Sequence, residues 1–343
     1  MGGRFEPEAD SIYLGGGTPT VLDSQQLERL FVTVKQNFRL STDAEITVEC
    51  APGTLSDPVL ETLLRCGVNR VSLGVQSFID QEAAAVGRLH RKATVLDDVD
   101  RLRRAGITDI NVDLIAGLPH QTAESWNVSL QSAIDLGVPH VSVYMLEVDG
   151  DSRLGRELIA GGTRYHAHFV PDEELTASFY DTACELLNAA GVHQYEISNF
   201  GHGGSESQHN LKYWRREPYI GFGVDAHSML RSADDQWEAV RFSTADALEK
   251  YVGGAPRERT PVSLQAALEE TFFLGLRLTE GIDLEGVRAR FGRSAVVALS
   301  PTLAELAEGR LLEWNGDRIT LTPRGRLVSN EVFERFLSER TAT

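Results

Sequence analysis

Short β-branched segments alternate with longer helix-patterned segments through the first two-thirds of this 343-residue chain. The alternation repeats about every 30 to 35 residues, which is typical of βα units whose strands run parallel in one sheet. The strands that it predicts are Ser11–Gly15, Glu45–Glu49, Arg70–Val75, Asp109–Ile115 and His140–Glu147. Five strands are too few to close an eight-stranded barrel. The predicted fold class is therefore α/β, with either a partial, open βα barrel of parallel strands or a doubly wound sheet.

The helical patterns between and after these strands begin and end on recognisable residues. The predicted helices are Ser24–Phe38, Asp57–Cys66, Ala93–Ala105, Ala123–Leu136 and Asp172–Ala190. Several begin at residue types that cap helix N-termini, and several are followed by a glycine, which favours a helix end. These signals support the division of the sequence into βα units.

Polar residues follow the predicted strands at the ends where ligands usually bind. In both architectures, ligands collect at the C-terminal ends of the parallel strands. The residues found there are Gly15–Thr18, Glu49, Gln76, Asp113 and Glu147. Consecutive glycines after a buried strand let a ligand approach the backbone closely. The sequence therefore predicts one polar rim assembled from five strands.

The charge balance excludes two classes of partner. The formal net charge is -17, whereas a sequence-independent nucleic-acid binder or a protein bound to an anionic membrane needs a basic surface. The sequence contains no apolar stretch long enough to span a membrane and no signal-peptide pattern at its start. We therefore expect a cytoplasmic protein with no membrane span and no nucleic-acid partner.

The last third of the chain has a different pattern, which gives three predicted segments: 1–204, 205–260 and 261–343. The middle segment is rich in histidine, glycine and aromatic residues and ends in a linker-like stretch. The tail combines helical spacing with Asn315-Gly316, a strong hairpin signal, and so resembles a winged helix. Residues 301–343 contain seven acidic residues against six arginines and no lysine. The winged-helix-like tail is therefore expected to pack or to bind a protein, and not to bind nucleic acid.

Taken in order, the motifs of the chain resemble the radical S-adenosylmethionine superfamily. The resemblance is closer to the branch that contains HemW-type haem chaperones and oxygen-independent coproporphyrinogen III dehydrogenases, and it covers nearly the whole chain. The matching blocks are Gly15–Pro19, Glu49 with Pro52-Gly53, Gly67–Phe78, Gly87–His90, Asp113–Pro119, Gln194–Phe200, His209–Trp214 and Leu274–Arg277. Eight blocks in family order are much more specific than any one of them, and they favour the partial barrel.

The resemblance implies a site for S-adenosylmethionine on the polar rim. The backbone of Gly15, Gly16 and Gly17, with Thr18, would hold the amino-acid end of the cofactor. Glu49 would accept hydrogen bonds from the ribose hydroxyls. Gln76, Arg88 and Asp113 would complete the site, and the planar fork of an arginine suits a carboxylate. For Gln76 and Asp113 the alternative is an ordinary hydrogen bond at a strand end.

The resemblance also implies a haem site at His209. In the chaperone branch, the pattern His-Asn-x-x-Tyr-Trp is associated with haem, and here it reads His209 to Trp214. A neutral imidazole can ligate haem iron, while Tyr213 and Trp214 offer flat apolar surface to a porphyrin. The alternative is a histidine that is satisfied by a backbone carbonyl beneath an aromatic lid.

The sequence departs from the superfamily in one respect. Three cysteines spaced Cys-x-x-x-Cys-x-x-Cys bind the [4Fe–4S] cluster of the superfamily and should precede Gly15, but this sequence lacks them. Cys50, Cys66 and Cys184 have no metal-site spacing and are expected to be small buried residues. We expect a chain that starts late, rather than a homologue that lost its cluster, because the cofactor rim is intact. The first predicted strand would then be an uncovered sheet edge.

Three functions are compatible with these observations. The first is a haem chaperone that delivers haem to other proteins. The second is an enzyme that decarboxylates coproporphyrinogen III by radical chemistry, for which the cluster is required. The third is a cluster-free homologue that retains only the fold. The sequence does not determine the oligomeric state or the protein that accepts the haem.

Overall fold

The computed structural model describes residues 3–4, 8–147 and 167–337, and these form two compact units. One unit consists of the described residues between 8 and 207. The other consists of residues 208–337 together with residues 3 and 4. No helix in these described ranges is long and apolar enough to cross a membrane.

The first unit contains a seven-stranded sheet that begins with five parallel strands. The strands are β1 (Glu8–Leu14), β2 (Arg39–Cys50), β3 (Arg70–Gln76), β4 (Asp109–Ala116), β5 (His140–Met145), β6 (His193–Gln194) and β7 (Asn199–Gly201). Their order in the sheet is β1-β2-β3-β4-β5-β7-β6, and β7 and β6 run antiparallel to their neighbours. The parallel part forms a curled half-barrel, so the predicted partial barrel is confirmed. Among the described residues β1 lies at the sheet edge, as expected.

The two faces of this sheet differ sharply in polarity. Side chains alternate between the faces of a strand, and register partners on neighbouring strands share a face. One rung joins Cys50, Leu73, Val112 and Val141, each at most 3% exposed. The adjacent rung, on the opposite face, joins Glu49, Ser72, Asn111 and His140. One face is thus apolar, and the other collects polar groups from four strands.

Five helices follow the strands and cover the apolar face, as expected for βα units. They are α1 (Ser24–Asn37), α2 (Asp57–Arg65), α3 (Asp80–Ala85), α4 (Lys92–Arg104) and α5 (Ala123–Leu136), and α6 (Glu173–Ala189) comes after them. Fully buried side chains such as Leu27, Leu63, Leu102 and Trp126 form the helical side of the core. Burial of each such side chain contributes about 1.5 to 3 kcal/mol.

The helix boundaries agree with the sequence signals to within a residue or two. Helix α1 begins after Asp23, whose side chain accepts a hydrogen bond from the backbone N–H of Gln26. The capping residue is therefore Asp23, one position before the predicted helix start at Ser24. Helix α5 begins after Thr122 in a capping box, as predicted. The two antiparallel strands β6 and β7 were not predicted, because two or three residues are too few to show an alternating pattern.

The second unit is built on two small antiparallel sheets. One sheet has the order β10-β9-β8, and the other has the order β11-β13-β12. Their strands are β8 (His227–Arg231), β9 (Ala239–Ser243), β10 (Glu258–Val262), β11 (Ile282–Asp283), β12 (Leu312–Asn315) and β13 (Arg318–Leu321). The helices are α7 (Gln208–Trp214), α8 (Leu248–Val252), α9 (Leu264–Gly275), α10 (Leu284–Phe291), α11 (Arg293–Glu308), α12 (Pro323–Leu327) and α13 (Ser329–Glu334).

The tail has the element order that a winged helix requires. Strand β11 is followed by helices α10 and α11 and then by the hairpin β12–β13. The predicted hairpin is present, but its two turn residues are Gly316 and Asp317, one position after the predicted pair, because Asn315 pairs with Arg318; Gly316 has a φ of 64°. The linker-like stretch before the tail contains strand β10, which was not predicted. Pro261 lies within it, and a proline is tolerated there because β10 is an edge strand.

Candidate functional site

The glycine run after β1 lies against the carboxylate of Glu49. A Cβ atom on Gly15 would lie 2.5 Å from Cε1 of Tyr13 and 2.6 Å from Oε1 of Glu49. The backbone N–H of Gly16 donates to Oε2 of Glu49 over 3.2 Å, and the hydroxyl of Tyr13 donates to Oε1 over 2.8 Å. Gly16 has a φ of 80°, which only glycine adopts readily. A Cβ atom therefore does not fit at Gly15 unless the Glu49 carboxylate moves.

Gln76 and Arg88 converge above Gly74. A Cβ atom on Gly74 would lie 3.2 Å from Nε2 of Gln76 and 3.9 Å from both terminal nitrogens of Arg88. Gln76 is 7% exposed and has a left-handed backbone with a φ of 67°. A left-handed glutamine costs roughly 1 to 3 kcal/mol and is typical of functional sites. The strained backbone places the Gln76 amide beside the arginine head group.

Asp113 lies within β4 and is surrounded by hydrogen-bond partners. The amide nitrogen of Asn111 donates to Oδ1 over 2.8 Å, and the hydroxyl of Ser72 donates to Oδ2 over 3.1 Å. The Ser142 hydroxyl is a third partner. A carboxylate has about four acceptor sites, so one remains for a ligand donor.

The carboxylates and phenols of this site influence one another. Burial raises the pKa of Glu49, and the nearby charge of Asp113 raises it further, while the hydrogen bond from Tyr13 opposes both. Burial also raises the pKa of Asp113, against the donors that surround it. The pKa values of Tyr13 and Tyr144 are raised by burial and then by these carboxylates. The site thus concentrates negative charge that a cationic ligand would neutralise.

Two residues of the predicted rim, Thr18 and Glu147, have different surroundings from the residues described above. Thr18 begins the 3₁₀ turn Pro19–Val21, and its side chain makes no capping hydrogen bond. Glu147 follows β5 and is exposed. The half-barrel therefore brings together Gly15, Gly16, Glu49 and Asp113. Gln76 at the end of β3 meets Arg88, which lies in the loop between α3 and α4.

The three cysteines lie on separate elements. Cys50 ends β2 and Cys66 follows α2, and both are buried, whereas Cys184 on α6 is partly exposed. Burial raises the pKa of Cys50 to about 11, which keeps this thiol protonated. Within the described residues no three histidines, cysteines or acidic residues are grouped so that they could hold a metal ion.

The second predicted site lies on the short helix α7 in the other unit. Nε2 of His209 is 2.9 Å from the hydroxyl of Tyr213, one helical turn away, and the two rings meet edge to face. Tyr213 also packs edge-on against Tyr219 at 4.6 Å and against Trp214 at 6.4 Å between ring centres. Burial raises the pKa of Tyr213 to about 12. A side-chain hydroxyl is thus a hydrogen-bond partner of this histidine.

Helix α7 is anchored by buried charges. The guanidinium of Arg277 lies 4.2 Å from the ring centre of Trp214, so one face of that indole is covered. Just after the helix, Nε of Arg216 pairs with Glu270 over 2.7 Å, and the other oxygen of Glu270 pairs with Arg241 over 3.0 Å. Arg216 is 7% exposed, and burial lowers its pKa. These ion pairs fix the end of the helix to α9 and β9.

The residues that support the half-barrel site by hydrogen bonds and packing were not predicted from the sequence. These are Tyr13, Ser72, Gly74, Asn111, His140, Tyr144 and Tyr195. A signal for several of them exists, because the polar residues of β3, β4 and β5 stand two apart and therefore share a face. The predicted ligand-binding residues lie at the ends of strands, so these positions inside the strands were not predicted.

Comparisons with known proteins agree with this geometry. The family model described as the radical SAM superfamily matches residues 3–133, and the HemN C-terminal domain matches residues 262–328. The structure of coproporphyrinogen III oxidase (HemN) from Escherichia coli superposes with a TM-score of 0.80. That comparison covers 96% of this chain and 78% of the other at 22% identity, so it shows the fold.

Curated relatives match over almost the full length. The heme chaperone HemW of Bacillus subtilis is 36% identical over 97% of this chain and 87% of its own length. The heme chaperone HemW of Lactococcus lactis is 36% identical over 95% of this chain and 84% of its own length. HemW of Escherichia coli is 32% identical over 97% and 85% of the two chains.

The curled half-barrel and the two family-model matches together identify the chain as a radical S-adenosylmethionine protein. The superfamily implies S-adenosylmethionine and a [4Fe–4S] cluster as cofactors. Within this class, the identity to several relatives over nearly the whole chain is decisive. The chain belongs to the HemW family.

Proposed function

We propose that this protein is a haem chaperone, which binds haem at His209, Tyr213 and Trp214 and transfers it to haem-accepting proteins. The observation that carries the proposal is the 36% identity to proteins named heme chaperone HemW, which extends over 95% or more of the chain. The geometry of α7 supports it, because one short helix holds an imidazole beside two aromatic rings.

The chemistry of α7 suits haem as a cargo. Haem iron takes a neutral imidazole as an axial ligand. In the structure Nε2 of His209 is engaged by the Tyr213 hydroxyl, so iron that binds through this nitrogen displaces one hydrogen bond. Arg277 covers one face of Trp214. A porphyrin would therefore use the opposite face or edge of that ring, or pack mainly on Tyr213.

The half-barrel site supports a role in binding S-adenosylmethionine. A Cβ atom at Gly15 would collide with Tyr13 and Glu49, whereas the space beside Gly16 and Gly17 is open within 4 Å, so with Thr18 their backbone could hold the amino-acid end of the cofactor. Glu49 would accept from the ribose hydroxyls. Gln76, Arg88 and Asp113 would hold the rest of the cofactor, with the Arg88 guanidinium suited to its carboxylate. The acidic surroundings would favour its cationic sulfonium and ammonium groups.

The described residues do not supply ligands for an iron–sulfur cluster. Such clusters need three cysteine thiolates close together, whereas Cys50, Cys66 and Cys184 lie on separate elements. The residues that fit a cofactor are those for S-adenosylmethionine.

The proposal is tested by titrating the protein with haem. We expect a Soret band characteristic of a histidine ligand, and we expect His209→Ala to shift that band and to weaken binding at least about tenfold. His202→Ala is a matched control, because His202 is exposed and hydrogen-bonds to Gly191 O in the other unit. A His209→Ala spectrum and affinity equal to those of the wild type would overturn the assignment. Loss of a porphyrinogen propionate, read by mass, would instead indicate a decarboxylase.

A further inference from the structure

A continuous chain of hydrogen bonds runs beneath the Asp113 carboxylate across the half-barrel. Nδ1 of His140 lies 2.6 Å from Oδ1 of Asn111, whose amide nitrogen contacts Oδ1 of Asp113 at 2.8 Å. On the other side, Nε2 of His140 lies 3.0 Å from the hydroxyl of Tyr195, which accepts from the backbone N–H of Ser207 over 3.1 Å. His140 is 1% exposed and Asn111 is 4% exposed.

The partners fix the direction of every hydrogen bond in this chain. The Asn111 amide nitrogen donates both to Asp113 and to the Ser72 hydroxyl at 2.7 Å. Its oxygen must therefore face His140, and Nδ1 of His140 must carry the proton. A neutral imidazole carries one N–H, so Nε2 of His140 accepts and the Tyr195 hydroxyl is the donor in their 3.0 Å contact. One histidine tautomer satisfies all of these contacts.

We propose that His140 is a positioning residue for Asp113, acting through Asn111 so that the carboxylate faces the cofactor. This inference rests on the proposed role of Asp113 in binding S-adenosylmethionine. Without the donor at Nδ1, Oδ1 of Asn111 loses its shorter hydrogen bond of 2.6 Å and keeps the longer one, 3.2 Å from the Ser142 hydroxyl, so it is held less firmly away from Asp113. A flipped amide would place oxygen against carboxylate oxygen, which rotates the carboxylate or leaves it without a donor.

The surroundings of His140 are consistent with an indirect role. The imidazole packs 3.5 Å from the position that a Cβ atom on Gly201 would occupy, so a larger residue there would crowd the ring. Arg70 is the charged group that acts on the ring, and burial together with its charge lowers the pKa of His140 well below the usual value. His140 is therefore neutral and acts through Asn111, not by contact with a ligand.

Three substitutions separate the two nitrogens of His140. The amide nitrogen of asparagine can take the place of Nδ1, so His140→Asn keeps a donor to Asn111. The amide of His140→Gln reaches the position of Nε2, and His140→Leu offers neither. We expect His140→Gln and His140→Leu to weaken S-adenosylmethionine binding about tenfold in calorimetric titrations of the full chain, and His140→Asn to stay within about threefold.

A double-mutant cycle distinguishes positioning from a general loss of structure. In an Asp113→Asn background, His140→Gln should change the affinity less than about twofold, because the carboxylate that His140 positions is gone. Equal losses in both backgrounds would overturn the proposal. If the wild type binds S-adenosylmethionine and His140→Gln binds it equally well, the positioning role of His140 is wrong and the cofactor site remains. If the wild type does not bind S-adenosylmethionine, both the positioning role and the cofactor site are wrong.

A measurement without ligand tests the tautomer directly. In histidine labelled with ¹⁵N, the signals that disappear in His140→Asn belong to this ring. They should show a protonated Nδ1 and an unprotonated Nε2. A protonated Nε2 would contradict the direction of the hydrogen-bond chain and the proposal with it.

Discussion

The two proposed sites of this protein are assembled in opposite ways. The half-barrel site takes its side chains from four strands and the loops after them, and register sets their positions. The α7 site takes His209, Tyr213 and Trp214 from seven consecutive residues. The first site needs the whole sheet to exist. The second needs one short helix that its neighbours hold in place. The half-barrel site therefore depends on contacts between strands, and the α7 site depends on the contacts that anchor one helix.

The largest effect is expected at the anchor of α7. Glu270→Ala would leave Arg216 and Arg241 without their shared carboxylate, and removing one partner of a buried ion pair costs about 3 to 5 kcal/mol. Haem binding should weaken, while S-adenosylmethionine binding below the unfolding temperature should not change. Denaturant unfolding provides the measurement.

Glu280→Ala is the matched control for that prediction, because its ion pair with Arg215 is exposed on both sides. We expect this substitution to change the free energy of unfolding by less than about 0.5 kcal/mol. Equal effects of the two substitutions would mean that the buried pair does not anchor the helix.

The next effect concerns the glycine cradle. Gly15→Val would force a side chain into Tyr13 and Glu49, and we expect S-adenosylmethionine affinity to fall about 100-fold, or about 2.7 kcal/mol. Gly203→Ala is the control, since this glycine lies outside the site and nothing lies within 4 Å of a Cβ at that position. Calorimetry on both variants measures the difference. A Gly203→Ala loss as large as that of Gly15→Val would show that the loss does not come from the Tyr13 and Glu49 contacts.

An intermediate effect is expected from pH. The pKa of His140 is lowered in the folded protein, so below a pH of about 6.5 the unfolded chain binds one more proton than the folded chain. Stability should therefore fall as the pH drops from about 6.5 to 5, by at most about 1.4 kcal/mol per unit from this group. The slope should be smaller in His140→Asn. Identical slopes in denaturant titrations would mean that His140 is protonated in the folded protein.

The smallest effect should come from Tyr213→Phe. This substitution removes the hydroxyl that engages Nε2 of His209 while keeping the ring, so iron no longer has to displace that hydrogen bond. We expect haem to bind about three times more tightly, because an ordinary hydrogen bond contributes about 0.5 to 1.5 kcal/mol. Tyr219→Phe, which keeps the His209–Tyr213 bond, is the control in the same titration.

The sequence predicted the parts of the molecule that depend on local signals. The five parallel strands, the helix ends at glycine and the hairpin that contains Asn315-Gly316 follow from residue patterns within a few positions of each other. The fold prediction was therefore largely confirmed. Strands β6, β7 and β11 were missed because they have only two or three residues, and β10 because it contains proline; β8 and β9 were not predicted either. These strands form only when neighbouring strands offer backbone partners.

The candidate sites show the same limit. The strand-end residues Glu49 and Asp113 were predicted, and the structure places them near enough to influence each other's pKa. His140 and Tyr195 are joined by a hydrogen bond, but they lie 55 positions apart in sequence. For that reason they were not predicted as part of the network. Side chains that meet across strands carry no local signal, and their pairing becomes visible only with the register.

The most direct test of this account is a calorimetric titration of the wild type, Glu49→Ala and His209→Ala with S-adenosylmethionine and, in parallel, with haem. The account predicts that Glu49→Ala loses S-adenosylmethionine binding and keeps haem binding, and that His209→Ala does the reverse. Binding of either ligand that survives both substitutions, or is lost in both, would contradict the assignment of two separate sites.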